Sequence, residues 1–142
     1  MAPLKLTISL ALAVVAAGFA APSLGDTREK QQENFELFSR HAGPPIEEIR
    51  QFRFFRWQQL GDGAIGVWSN PGELYLIEVD RPCNGLDWAK SVGVTSTHRV
   101  VMAKFDFVTF ERQRCHITRI RPVDEKAMKA EQWGNAAADA ER

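Results

Sequence analysis

The chain has 142 residues, with 18 basic and 18 acidic side chains. That length supports one hydrophobic core and not two, and the balanced charge does not point to a polyanion-binding protein. Cys83 and Cys115 are the only cysteines, which excludes a Cys-x-x-Cys metal or redox motif.

The chain opens with Lys5, an apolar run from Leu6 to Ala17, and the small-residue stretch Gly18-Phe19-Ala20-Ala21-Pro22. A basic start, a short apolar centre and a small-x-small end describe a secretory leader. The reading places a signal peptide at 1–20, cleaved after Ala20, with Ala21 as the alternative. The apolar run is shorter than the ~20 residues of a spanning helix, so no stable membrane insertion is expected once the leader is removed. The expected location is periplasmic or secreted. In such an oxidising compartment Cys83 and Cys115 are expected to pair. The bridge closes a loop of about 33 residues, for which the chain-entropy relation gives roughly 3–4 kcal/mol.

Residues 21–45 read as an N-terminal helix or linker. Asp26 to Arg40 favours helix, and Phe35, Leu37 and Phe38 form its docking face; Gly43-Pro44-Pro45 ends it. The β domain is expected over 46–123. Ile49 to Leu60 is an aromatic strand with a phase break between Phe54 and Phe55, read as a bulge or a strand buried on both sides. Turns at Gly61-Asp62-Gly63 and Asn70-Pro71-Gly72 frame Ala64–Trp68, and Glu73–Val79 is the clearest strand. Cys83–Lys90 reads as a short helix or ordered turn. β-like composition resumes from Val92 to Ala103, then strands over Lys104–Glu111 and Arg114–Ile120. The segment 124–142 reads as a partly disordered tail in which Met128 and Trp133 dock a short helix.

These elements predict a mainly β fold: a small antiparallel sheet of about six strands curled into a barrel or sandwich, with a short N-terminal helix and one disulfide. Hairpin connections favour an up-and-down order. The expected core is aromatic: Phe52, Phe54 or Phe55, Trp57, Trp68, Tyr75, Phe105, Phe107 and Phe110.

The order of Trp57, Tyr75-Leu76-Ile77, Cys83-x-x-Leu86, Asp106 and Cys115-x-Ile117-x-x-Ile120-x-Pro122 resembles a family of small exported proteobacterial proteins of unknown function. The resemblance covers Ile46 to Asp124. It implies the fold and the export, and it carries no activity, ligand or catalytic residue.

No catalytic residue, metal site or cofactor is assigned from the residues. His41, His98 and His116 lack compact ligand spacing, and Cys115 and His116, being adjacent on a strand, point to opposite faces. No Gly-x-Ser-x-Gly motif occurs. The feature that does suggest binding is the basic and aromatic strand. Arg50, Arg53 and Arg56 interleave with Phe52, Phe54, Phe55 and Trp57, while Arg112, Arg114, Arg119 and Arg121 lie on or beside the last strand. If those two strands paired, the arginines would share one face. The candidate binding residues are Arg50, Arg53, Arg56, Trp57 and Arg119. Export argues against nucleic acid and for an anionic envelope ligand or an envelope protein. The function expected is a non-catalytic cell-envelope binding or structural module. The alternative is a carboxylate-dependent hydrolase or isomerase with Asp106 or Asp62, and His98 or His116, in a barrel mouth.

Overall fold

A computed structural model describes residues 24–141; the leader expected at 1–20 lies outside them. Helix α1 (Leu24–Arg40) is polar through most of its length and ends in an apolar turn. Leu37 and Phe38 are buried there and Phe35 is half-buried, so the expected docking face is the one used.

The stretch expected as one aromatic strand divides between two sheets. Glu48–Ile49 (β1) pairs antiparallel with Val101–Met102 (β6) in a separate ribbon. Arg56–Gln59 (β2) belongs to the main sheet. Between them Gln51 takes φ 52°, a left-handed conformation that redirects the chain. The phase break in the sequence is the trace of this crossing. Phe52 from the ribbon side and Trp57 from the main sheet reach the same core.

The main sheet is antiparallel throughout. Its spatial order is β2, β3 (Ala64–Asn70), β4 (Glu73–Val79), β8 (Gln113–Val123), β7 (Phe107–Phe110) and β5 (Gly93–Val94). The expected pairing of sequential strands holds for β2, β3 and β4 and again for the β7–β8 hairpin, but not between β4 and β7. After β4 the chain leaves the sheet, and the last strand returns to pair with β4 rather than with β2. The first and last strands therefore do not meet, and the sheet is a half-barrel.

What spans the open side is the segment after β4. Leu86 and Ala89 are buried among Ile65, Val67, Ile77, Val108 and Ile117. Leu86–Trp88 forms a 3-10 turn, and Gly85 packs against Phe110. At the β2 edge the Gln59 side-chain amide donates to the Ala89 carbonyl at 2.6 Å, and Gln31 of α1 donates to the Asp87 carbonyl at 3.0 Å. The Cys83–Cys115 disulfide, with Cα atoms 6.0 Å apart, ties this plug to β8. The sulfur bridge and two glutamines thus replace the strand pairing that would close a barrel.

The sheet has apolar residues on both faces. The inner face packs on the ribbon and the plug, through Ile49, Phe52, Val79, Val101 and Ile120 among others. The outer face carries Ala64, Trp68, Leu74, Leu76 and Val123 under α1 and helix α2 (Glu125–Ala140). Gly66 lets Phe38 lie directly on β3, since a Cβ there would sit 2.4 Å from the ring. α2 occupies the expected tail. Asp124 caps it, accepting from the Ala127 N–H at 3.0 Å. Met128 is buried as expected, but Trp133 is 71% exposed and docks nothing.

Of the aromatic residues expected in the core, Phe105, Phe107 and both alternatives Phe54 and Phe55 are outside it, Phe107 lying half-buried against Arg114 and His116. Phe105 is 70% exposed because Ala103–Phe105 is a turn, with Lys104 at φ 70°, and not the start of a strand. Phe54 and Phe55 are 39% and 58% exposed on the connection between the ribbon and β2. Phe52, Trp68 and Phe110 are buried, and Trp57 and Tyr75 pack half-buried on the inner core. Apart from Phe38, the largest fully buried side chains are aliphatic: Ile49, Ile65, Leu76, Ile77, Leu86, Ile117 and Ile120.

Candidate functional site

The residues singled out in the sequence lie in different surroundings. Arg56 points to the helix-bearing face, where its guanidinium carbon lies 3.9 Å from the centre of the Trp68 ring. It is also 3.6 Å from Glu125 of α2. Trp57 packs on the inner core. Arg119 forms a two-pronged pair with Glu78 across the β4–β8 ladder, which raises its pKa further through that hydrogen bond. Arg121 donates to the carbonyls of Ala42 and Gly43, satisfying the chain that leaves α1. Arg114 lies over Phe107. These arginines hold elements together.

Arg50 and Arg53 are placed differently. Both are exposed, on the connection that carries Phe54 and Phe55. Arg50 bonds Glu48 at 2.6 Å; the Arg53 guanidinium has no acidic partner among the described residues. Three backbone bonds pin this connection. Phe52 N–H donates to the Arg99 carbonyl at 2.8 Å, Arg53 N–H to the Ser69 hydroxyl at 3.2 Å, and Phe55 N–H to the Trp68 carbonyl at 2.9 Å.

The first of these bonds brings in a residue that the sequence reading missed. Thr97 and Val100 exchange backbone hydrogen bonds around a two-residue turn, His98-Arg99. Both turn residues are left-handed, at φ 50° and 62°. Such a turn is ordinarily made with Asn-Gly, because larger residues cost about 1–2 kcal/mol each there. Nothing in the local sequence marks His98-Arg99 as a turn, and its place beside Phe52 depends on the ribbon. The result is one end of the molecule that presents Arg50, Arg53, His98 and Arg99 with Phe54 and Phe55.

The residues of the alternative, enzymatic reading are not brought together. Asp106 accepts from the Thr95 hydroxyl at 2.8 Å and from the Met102 N–H at 2.7 Å, which holds the turn between β6 and β7. His116 bonds the Lys104 carbonyl through Nε2, and its Nδ1 lies 3.6 Å from Asp80. Asp62 and His98 are exposed in separate turns. No hydrogen bond or ion pair among the described residues links any two of Asp62, His98, Asp106 and His116.

Two carboxylates tie α2 down. Glu131 receives His41 and Arg40 from the end of α1, and these bonds lower its pKa. Glu125 is nearly buried beside Trp68. Burial pushes its pKa up, but the Lys129 ammonium at 2.7 Å, the indole N–H and the Arg56 charge outweigh that and leave it lowered. The indole N–H of Trp68 and the second oxygen of Glu125 are both buried and neither completes a hydrogen bond.

This geometry defines a disulfide-closed β half-barrel with a basic and aromatic end, built on a mainly aliphatic core. The chain belongs to a family of unknown function (DUF6491), whose model matches residues 4–139. No curated protein and no solved structure matches it. Among the described residues no helix is long and apolar enough to cross a membrane.

Proposed function

We propose that the protein is an exported, non-catalytic module of the cell envelope that binds an anionic partner through the end carrying Arg50 and Arg53. The observation that carries this reading is Arg53. It is an exposed cation without an acidic partner among the described residues, beside two exposed phenylalanines, on a connection pinned at three backbone positions. Because the backbone here is already pinned, only the side chain of Arg53 has to be ordered when it meets an anion. Export is supported by the leader-like start and by a disulfide that spans the core. Of the other candidates, Arg50 shares this end and Arg56 and Trp57 stand at the adjoining start of β2, while Arg119 lies further along the sheet on Glu78 and is not part of it.

Retention on a phosphate-bearing resin tests the reading. Arg53→Glu should elute at clearly lower salt than Arg112→Glu. Both variants change the charge equally, but Arg112 sits in the β7–β8 turn, at the end of the sheet opposite to the start of β2. Equal elution of the two variants would mean that the resin senses net charge alone, and the proposed end would lose its support.

A further inference from the structure

We infer that the end formed by the Arg50–Phe55 connection and the His98-Arg99 turn is a docking surface for an anionic lipid bilayer. This rests on the binding reading above and names its partner.

Three observations lead to it. The first is charge. Arg53 and Arg99 come from segments 46 residues apart, and the backbone bond from Phe52 to Arg99 joins those segments. Neither has an acidic partner among the described residues, and the one acid bonded at this end is Glu48, on Arg50. The second is the apolar component. Phe54 and Phe55 are 39% and 58% exposed although the chain around them is fixed by hydrogen bonds. The third is conformation. Gln51, His98 and Arg99 all hold left-handed backbone angles without being glycine or asparagine. Lys104, Glu111 and Arg112 take the same conformation in other turns, so the strain supports this surface only by fixing the turn that presents His98 and Arg99.

The combination fits a bilayer better than a soluble anion. A small anion is held by donors that converge in a recess. The recesses between α1 and α2, beside Phe105 and beside β5 include none of these residues. A membrane surface asks for no such recess. Phenylalanines enter the boundary between headgroups and acyl chains, and arginines beside them reach the phosphates while their stems stay in the apolar layer. The contact is peripheral and salt-sensitive, because each cation gains from the surface potential only within a Debye length.

The test is co-sedimentation of the purified, unreduced protein with vesicles. One set is phosphatidylcholine alone, and the other is an equimolar mixture with phosphatidylglycerol. The protein should pellet with the mixture and not with phosphatidylcholine, and the binding should fall as salt rises. Phe54→Ser with Phe55→Ser, and separately Arg53→Glu with Arg99→Glu, should each lower the partition coefficient roughly tenfold or more. Lys30→Glu with Arg112→Glu should leave it nearly unchanged. Thermal melts matching the parent for all three variants assign the losses to the surface. Absence of binding to either vesicle would overturn the inference, as would equal losses in all three variants. If vesicle binding failed while Arg53→Glu still eluted earlier than Arg112→Glu from the resin, the bilayer would be wrong and the anionic-partner reading would stand.

Discussion

Replacing both cysteines by alanine removes the tie between the plug and β8, and the cost can be worked from the structure. The bridge spans a sequence separation of 32. Releasing that constraint from the unfolded chain costs the folded state roughly 3–4 kcal/mol. For a domain whose whole stability is about 5–15 kcal/mol, that is a large share. What then remains to hold the plug is the burial of Leu86 and Ala89 and the two glutamine bonds to Asp87 and Ala89. Urea unfolding followed by tryptophan fluorescence measures the change. With a slope near 2 kcal/mol per molar, the midpoint should fall by about 2 M. Leu86→Ala in the bridged protein is the comparison. It removes a fully buried side chain and should cost about 2–5 kcal/mol with the disulfide intact. A midpoint shift of under about 0.5 M for the cysteine pair, on the same slope, would show that the bridge does not hold the half-barrel closed.

Two further outcomes follow from the outer face. Gly66→Ala places a Cβ against the Phe38 ring, so it should cost about 1–3 kcal/mol by overpacking; a double-mutant cycle with Phe38→Leu should recover part of that, and full additivity would mean that the two positions do not touch. Acidification should undock α2. Glu125 and Glu131 are both held below the ordinary value of 4.5 in the folded protein. Their contribution is therefore fully present above that value and is lost as pH falls through the lower, folded pKa. The near-UV circular dichroism signal of the buried Trp68 should decline over that acid range, and Glu125→Gln should flatten part of the change. A signal constant down to full acid unfolding would contradict the role given to these carboxylates.

The parts of the fold that were legible in the sequence are those governed by local pattern. Glu73–Val79 is a short, mostly apolar run between turn signals and is a strand buried on both faces. Leu37 and Phe38 mark the docking turn of α1. The cysteine pairing followed from there being two cysteines and from the expected export, and the disulfide is present. Long-range pairing was not legible. Ile49 to Leu60 has strand composition throughout, and only its phase break hints that the chain changes sheets at Gln51. Phe105 and Phe107 alternate as strand residues do, yet Phe105 belongs to a turn clamped by Asp106. The candidate site was half legible for the same reason. Arg50 and Arg53 stand out beside their phenylalanines, but Arg99 reaches them only through a hairpin turn without Asn or Gly and a ribbon whose register no local pattern encodes.

The proposed role requires a chain that crosses a membrane, sheds its leader and then joins Cys83 to Cys115. Intact mass after alkylation without reduction, on protein recovered from the producing cells, measures all three at once. The account predicts a chain beginning at Ala21 or Pro22, found in the envelope or medium fraction, with no alkylated thiol. A cytoplasmic chain that keeps residues 1–20 and carries two alkyl groups would contradict it.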